Sequence, residues 1–367
     1  MFEKTPINSR TDVAFIIGDL SAGGSQRVLQ RISGELAERG HGITVITLSD
    51  GSNDFFALDQ RIQRIALGLQ KPSRNKLSGV LGNLNIAWRL RRELTRLSPV
   101  SVCSFIGVTN ILAIVASALM PFRLVVCERN NPDKQTLGFP WQMLRWATYR
   151  WATLVTANSM EALNALSRYV PRQRLFLLRN PLPVGKPATM GRSQIVLAVG
   201  RLSAQKGFDV LLDAWSGVHA PGWQLHIVGS GPELHSLLAQ AETLGIAERI
   251  RILQPIADVV TLYQSSSILA APSRFEGTPN VVLEASLSAL PAVVSEGCGD
   301  ALEIIQDRVS GLVVPVDNSD ALRVALQQLI DQPAQRQQYG ERARSRVAAM
   351  HDDYLDAWLQ TLQLPTS

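Results

Sequence analysis

The chain is expected to be an α/β protein made of two doubly wound domains. Three observations carry that expectation. Short β-branched runs alternate with helical stretches along the whole sequence, a Pro- and Gly-rich interruption falls near its middle, and 367 residues with 46% hydrophobic content exceed what one compact core usually holds. In the first half the runs are Val13 to Ile17, Ile43 to Leu48, Val100 to Ser104 and Leu124 to Cys127, each of a length that suits a buried strand of a parallel sheet. The interruption, residues 181–193 (Pro-Leu-Pro-Val-Gly-Lys-Pro-Ala-Thr-Met-Gly-Arg-Ser), breaks all periodicity and reads as a linker. The expected organisation is an N-terminal domain at 1–180, a C-terminal domain at 194–350 and a final helical segment at 351–367. No internal repeat or low-complexity tract is present.

In chain order, Gly18-Asp19-Leu20-Ser21-Ala22-Gly23-Gly24-Ser25-Gln26-Arg27 follows the first run and opens a helix expected to continue to about Arg39. Glycines there permit close backbone approach, either to a ligand or simply within a tight strand-to-helix turn. The Gly-x-Gly-x-x-Gly dinucleotide fingerprint is absent, and Asp50 lies too far along to supply its ribose contact. Arg74 to Arg96 spaces Val80, Leu81, Leu84 and Trp88 at helical intervals and ends in Arg89, Arg91 and Arg92. Trp141 to Trp151 interleaves Trp141, Trp146 and Trp151 with Arg145 and Arg150. Each stretch reads either as an amphipathic core helix with its cations in water or as a helix lying at a lipid interface. Between them, Glu128-Arg129-Asn130-Asn131-Pro132-Asp133 follows the strand ending at Cys127. That segment is either a plain turn or a polar cluster at a strand end where an acceptor would enter.

In the second half, Val196 to Gly200 reads as a buried strand followed at once by Arg201, with Lys206 and Gly207 shortly after. Open parallel sheets bind ligands outside the carboxyl ends of their strands, where Arg brings a planar fork for phosphate oxygens and Lys a point charge. Ile250 to Leu253 reads as another strand, followed by Gln254. Residues 273–284 place Glu276 before a turn of Gly277, Thr278 and Pro279, and Glu284 inside an apolar helix expected to begin near Asn280. The first N–H groups of that helix, with its macrodipole, form an anion site beside both carboxylates. A phosphate next to hydroxyl-binding acids points to a nucleotide sugar. The plainer alternative is a turn-capping Glu276, a solvated helix acid at Glu284 and two loop cations at Arg201 and Lys206.

The ordered set Gly200-Arg201-Leu202, Lys206-Gly207, Val228-Gly229-Ser230-Gly231-Pro232 and Glu276 through Glu284 resembles the donor half of the family 4 retaining glycosyltransferases, and the likeness extends over essentially the whole chain. The resemblance implies the GT-B fold, two Rossmann-like domains facing each other across a cleft. It implies that Arg201 and Lys206 hold the donor diphosphate, with Gly229, Gly277, Thr278, Pro279 and Asn280 in the same donor site. Glu276 would contact the transferred sugar, Glu284 the nucleotide ribose, and the backbone near Leu253 and Gln254 the base. Gly23 and Gly24 would line the cleft near the donor phosphates and the acceptor. Many relatives place a His near the reacting centre where this chain has the Glu128 cluster. Its Arg-Asn-Asn-Pro run is similar to that of transferases extending lipid-linked oligosaccharides, which makes Glu128, Arg129 and Asn130 the expected acceptor side and Glu128 a candidate for orienting the acceptor hydroxyl. The last helix is implied to cross back onto the first domain. The implied reaction moves a hexose or N-acetylhexosamine from a nucleotide diphosphate sugar, by family frequency a UDP-sugar, to a glycan or lipid-linked acceptor, with retention and with no metal or other cofactor. A GT-B-like UDP-sugar epimerase and a non-catalytic nucleotide-sugar-binding protein would use the same donor residues and stay open at this point.

Charge is divided unevenly, +12 over residues 1–190 and −7 over residues 191–367. A basic half suggests a polyanionic partner, nucleic acid or an anionic membrane surface, and no nucleic-acid motif is present. The resemblance, to a family in which many members glycosylate lipid-linked acceptors, implies the membrane surface, met through Arg74–Arg96 and Trp141–Trp151. The longest apolar run, Ile111 to Phe122, has 12 residues, well short of the roughly 20 that a spanning helix needs. The polar start of the chain lacks a secretory signal pattern. Cys103, Cys127 and Cys298 are few, odd in number and widely spaced, which fits a reducing compartment, and the five His residues show no paired ligand spacing, so no metal is expected. The expected location is the cytoplasm, peripherally on the inner face of the membrane.

Overall fold

A computed structural model describes residues 10–52, 54–69, 76–129, 131–133, 137–181, 191–256 and 258–365. The chain divides into two compact units, Met1–Pro181 together with Asp353–Ser367, and Leu182–Asp352.

Unit 1 runs β1 (Val13–Ile17), α1 (Gly24–Glu38), β2 (Ile43–Thr47), β3 (Gln63–Ala66), α2 (Lys76–Leu97), β4 (Ser101–Phe105), α3 (Gly107–Ala116), β5 (Arg123–Glu128), α4 (Phe139–Thr148), β6 (Leu154–Ala157), α5 (Met160–Leu166) and β7 (Leu175–Leu177). Its strands form one parallel sheet in the order β3-β2-β1-β4-β5-β6-β7. β1, β2 and β4 are buried along their whole length, as a sheet covered on both faces requires. From β1 the chain steps one way to β2 and β3, then returns through α2 to β4 and continues to β7. Right-handed crossovers therefore put α1 on one face and α2 to α5 on the other. The strand alternation follows the same division: Phe15 and Phe105 pack with Leu29 and Ile32 of α1, whereas Ile16 and Val126 pack with Leu90 of α2 and Ile111 of α3.

Unit 2 runs β8 (Ile195–Val199), α6 (Phe208–Ser216), β9 (Gln224–Val228), α7 (Leu234–Thr243), β10 (Ile250–Leu253), α8 (Val260–Ser265), β11 (Ile268–Ala271), α9 (Asn280–Leu287), β12 (Ala292–Ser295), β13 (Leu312–Val314), α10 (Ser319–Asp331) and α11 (Pro333–Ala348). Its sheet is also parallel, in the order β10-β9-β8-β11-β12-β13. The chain leaves β8 toward β9 and β10 and comes back to β11 on β8's other side, so strand order reverses between β8 and β11. That boundary is where open α/β sheets leave a crevice at the carboxyl ends of their strands.

The last helix, α12 (His351–Leu362), follows unit 2 in sequence, but Leu355, Trp358, Leu359 and Leu362 pack into the unit 1 core beside α1. Trp358 stacks on Phe105 with ring centroids 6.3 Å apart and 9° between planes, and its indole N–H donates to the Arg179 carbonyl at 2.9 Å. Ser101 Oγ of β4 donates to the Leu362 carbonyl at 2.7 Å, which satisfies one of the carbonyls a helix C-terminus leaves unpaired.

Within the expected linker, residues 182–190 lie outside the described residues, but residues 191–193 are structured parts of unit 2. Arg192 donates from Nη1 to the carbonyls of Tyr263 and Ser266 and from Nη2 to that of Ser288, tying the chain to the C-terminal ends of α8 and α9. Among the described residues no helix is long and apolar enough to cross a membrane; part of the Ile111 to Phe122 run forms α3, which ends at Ala116.

Candidate active site

The site of unit 2 is assembled from the loops that follow β8 and β11. Arg201 sits one residue beyond Gly200 and is exposed at the carboxyl edge of the sheet. The chain then makes a 3-10 turn at Ala204–Lys206 and enters α6 through Gly207, whose φ of +65° and close approach to the Pro272 carbonyl exclude a side chain. This turn is joined to the loop after β11. Arg274 N donates to the Gln205 carbonyl at 2.7 Å, and Gln205 Nε2 donates to the Phe275 carbonyl at 2.9 Å. Lys206 Nζ forms an ion pair with Glu276 Oε1, which also accepts from Ser273 Oγ at 3.0 Å. Lys206 lies over Gly200, where a Cβ would come within 2.9 Å of its Cε.

Arg274 clamps the same loop from outside: Nη1 and Nη2 donate to the two carboxylate oxygens of Asp209 at 3.0 and 2.7 Å, and Nε pairs with Asp317 at 2.7 Å. Burial works against ionisation of Asp209, but the hydrogen bonds and charge of Arg274 outweigh it and hold the carboxyl below its ordinary range.

α9 begins at Asn280, with Pro279 at the cap position. Thr278 and Pro279 are buried just before it and Gly277 is partly buried. Glu284 is 3% exposed, and one carboxylate oxygen accepts from the fully buried Tyr263 hydroxyl at 3.0 Å. A solvated helix acid at this position is therefore ruled out.

A third loop, after β12, backs the Glu276 turn. Gly297 and Gly299 come so close to it that a Cβ would meet the Ser273 carbonyl oxygen at 2.3 Å and that of Gly277 at 2.2 Å. Asp300 N donates to the Gly277 carbonyl at 2.9 Å, and Thr278 Oγ1 donates to Asp300 Oδ2 at 3.0 Å. Burial, reinforced by the Glu276 charge, pushes the Cys298 thiol up to about 11, so it stays protonated and donates to the Ala271 carbonyl at 3.1 Å. Sequence reasoning missed this loop, although Ser-Glu-Gly-Cys-Gly-Asp directly after a buried strand was a usable signal.

The remaining donor-side residues are more peripheral. Gly229 is buried, and a Cβ there would strike the Gly200 carbonyl at 1.8 Å, so its visible task is to let the ends of β8 and β9 meet. Its N–H donates to the Leu253 carbonyl at 2.9 Å, and Gln254 is exposed beyond it.

In unit 1, strand order reverses between β1 and β4. The loop after β1 is held by Asp19 Oδ1, which accepts from Ser21 N at 3.0 Å, Ser21 Oγ at 2.5 Å and Gln26 Nε2 at 3.1 Å. Gly23 caps α1 and Gly24 is exposed as its first residue. After β4, Ile106 has φ +70°, an outlier for a β-branched residue that sequence gave no reason to expect.

In the Glu128 cluster, expected as the acceptor side or as a plain turn, the first two side chains are buried. Glu128 is 1% exposed; it accepts from the Tyr149 hydroxyl at 2.8 Å and lies 3.7 Å from Arg145, itself 2% exposed. Burial, with the neighbouring carboxylate, keeps the Tyr149 phenol well above its ordinary range and therefore a neutral donor. Arg129 is also buried: Nη1 donates to the Leu178 carbonyl at 2.7 Å and to Asn180 Oδ1 at 3.2 Å, and its guanidinium lies 5.0 Å from the Trp358 ring centroid. Its position after β5 is polar in sequence, but its side chain serves the packing of α12. Asn130 lies outside the described residues. Cys103 and Cys127, far apart in sequence, bring their thiols to 3.4 Å on neighbouring strands. Among the described residues no three His, Cys, Asp or Glu side chains are grouped so as to hold a metal ion.

Comparison with known proteins agrees with this architecture. A family model described as glycosyl transferases group 1 matches residues 185–346, and one described as glycosyltransferase family 4 matches residues 22–185. The amylovoran biosynthesis glycosyltransferase AmsD of Erwinia amylovora is 29% identical over 338 residues, 89% of this chain and 92% of its own. A Campylobacter jejuni α-1,4-N-acetyl-D-galactosaminyltransferase named for a diphospho-undecaprenol-linked substrate is 23% identical over 95% of this chain and 98% of its own. Among solved structures, sucrose-phosphate synthase from Thermosynechococcus elongatus superposes with a TM-score of 0.80 at 19% identity, covering 96% of this chain and 98% of that one. Anabaena HepE in complex with UDP and glucose gives 0.78 at 18% identity, covering 95% and 99%. Two parallel Rossmann-like sheets, the paired loops after β8 and β11 and the two adjoining family matches lead to one assignment: the chain belongs to the family 4 glycosyltransferases of GT-B fold.

Proposed function

We propose that the protein transfers a hexose or N-acetylhexosamine, with retention of configuration, from a nucleotide diphosphate sugar to a lipid-linked glycan acceptor in the synthesis of a bacterial surface polysaccharide or glycoconjugate. A UDP-sugar is the donor of choice, and no metal takes part. The observation that carries this reading is the Lys206–Glu276 ion pair, which with the Gln205–Phe275 hydrogen bond joins the loop that carries Arg201 to the loop that leads into α9, at the strand-order reversal of unit 2. The AmsD and Campylobacter relatives, by their names, support the polysaccharide setting and the lipid-linked acceptor; the HepE complex supports UDP.

Cleavage of a glycosyl phosphate bond places negative charge on the departing diphosphate and oxocarbenium character on the sugar. Arg201, Lys206 and the first turn of α9 offer fixed positive potential to the leaving group as its charge grows. Lys206 starts out paired with Glu276, so a diphosphate at this place shares the ammonium with a carboxylate that is itself directed at the sugar hydroxyls. Glu284, oriented by Tyr263, is assigned the ribose.

The test is a thermal-shift screen of the intact protein across nucleoside diphosphates and their sugars, followed by a transfer assay on a polyprenyl-diphosphate-linked oligosaccharide with and without EDTA. UDP is expected to raise the melting temperature, because a ligand that binds only the folded state stabilises it. Product should form only when acceptor is present, with the donor's anomeric configuration and at the same rate under chelation. Donor isomerisation without acceptor would replace this reading with an epimerase, and donor binding with no turnover would leave a sensor.

A further inference from the structure

The surface of unit 1 made by α2, α3 and α4 bears residues that donor chemistry leaves unused. The three helices lie side by side on one face of the sheet, and α3 packs against both neighbours. α3 is buried along nearly its whole length, so α2 and α4 flank it as two ridges. On α2, Leu81, Leu84 and Trp88 are 60%, 59% and 57% exposed, and their three- and four-residue spacing puts them on one outward stripe, away from Ile86, Leu90 and Leu94 in the core. The stripe runs into cations: the guanidinium carbons of Arg89 and Arg92 lie 5.9 and 6.0 Å from the Trp88 ring centroid. α4 repeats the arrangement. Trp146 is 52% exposed with Arg150 at 5.4 Å from its ring, and Trp151 follows at 63% exposure.

Most of the large apolar side chains exposed among the described residues lie between Val80 and Trp151. Acids are scarce on the same elements. Residues 139–160 contain no Asp or Glu, and α2 contains only Glu93, which is paired with Arg96 at 2.9 Å. Trp141 and Arg145, which sequence placed in this stripe, are not part of it: Trp141 packs against the core and Arg145 is buried on Glu128. Arg74 lies outside the described residues.

We propose that this face docks unit 1 on an anionic bilayer surface, with the Trp and Leu side chains of both ridges entering the boundary between headgroups and acyl chains and Arg89, Arg92 and Arg150 meeting lipid phosphates. A bilayer presents anions directly above hydrocarbon, which matches cations held at the level of exposed indole rings. Large apolar side chains grouped on one face mark an interaction site more than side chains scattered singly do. The proposal deepens the reading of a lipid-linked acceptor and rests on it for its purpose, although the surface argument uses neither donor nor acceptor.

The experiment is co-sedimentation of the intact protein with vesicles of phosphatidylcholine alone or mixed with phosphatidylglycerol, alongside hydrogen exchange on the same samples. Binding is expected only with phosphatidylglycerol present, with exchange slowed in α2 and α4. The double variant Trp88→Ser, Trp146→Ser should lower partitioning by roughly tenfold, and Arg89→Gln or Arg92→Gln by about fivefold each. All four side chains are at the surface, and UDP binding in lipid-free buffer reports separately on folding and on the donor site. Loss of UDP binding by the wild-type protein would count against the transferase reading and not against this one. Equal pelleting with both vesicle types, variants indistinguishable from wild type, or a lipid-free dimer that protects α2 and α4 would overturn the proposal.

Discussion

Arg201 and Lys206 differ in what they have already surrendered before any donor arrives. Lys206 is 16% exposed at its side chain and committed to Glu276, so part of its desolvation is complete. Arg201 is exposed just beyond the end of β8. Arg201→Ala should therefore leave the melting temperature unchanged and lower kcat by about 10²–10³-fold, the usual effect of removing one preorganised donor from a developing charge. Steady-state rates beside a thermal scan would check it, and an undiminished kcat would remove Arg201 from the chemistry. At this scale, residue order marked the site residues on each loop separately, because strand-end cations and a Glu before a Gly-Pro turn are local signals. It could not separate Arg201 from Arg129, each of which directly follows a buried strand or its last residue. What distinguishes them is α12, whose Trp358 packs over Arg129 from more than 200 positions away in the chain. Burial of Glu128 is similarly non-local, since it depends on Tyr149 and Arg145 arriving from α4 and the turn that follows it.

Among the elements, the loop after β12 decides where the Glu276 turn sits. Gly299 has φ +51° and ψ −129°, and the carbonyl oxygens of Gly277 and Glu276 occupy the space a Cβ would need. Gly299→Ala must both strain the backbone, at about 1–3 kcal/mol, and push the loop away from the turn. Donor affinity is expected to fall along with stability. Gly245→Ala is the matched control: its φ is +68°, but nothing lies within 4 Å of the added Cβ, so it should cost stability alone. Calorimetric UDP titration of both variants reads the difference, and equal affinities would mean that the third loop does not position the site. The alternation of strands and helices was legible in the sequence because parallel strands buried on both faces carry apolar runs, unbroken in β1. The edge strand β3, only partly buried, gives no such run. Contacts between loops that follow different strands left no periodic trace, which is why the pairing of 204–206 with 274–276 needed coordinates.

For the molecule as a whole, the return of α12 makes the stability of unit 1 depend on the end of the chain. Trp358 is fully buried, stacks on Phe105, donates to the Arg179 carbonyl and carries the Arg129 guanidinium on its ring. Trp358→Ala would remove that ring from the unit 1 core and leave Arg129 without its aromatic support. The expected cost is about 3–5 kcal/mol, a large fraction of what a domain of this size has to spare. Because Asp353–Ser367 clusters with Met1–Pro181, the loss should fall on one unit only. Hydrogen exchange should then accelerate in β1, β4 and β5, next to Trp358 and Arg129, while β8, β9 and β11 keep their wild-type protection and UDP still slows exchange around α9. Uniform acceleration through both sheets would show that the two units unfold as one cooperative block, and acceleration confined to unit 2 would contradict the packing of α12 on β4.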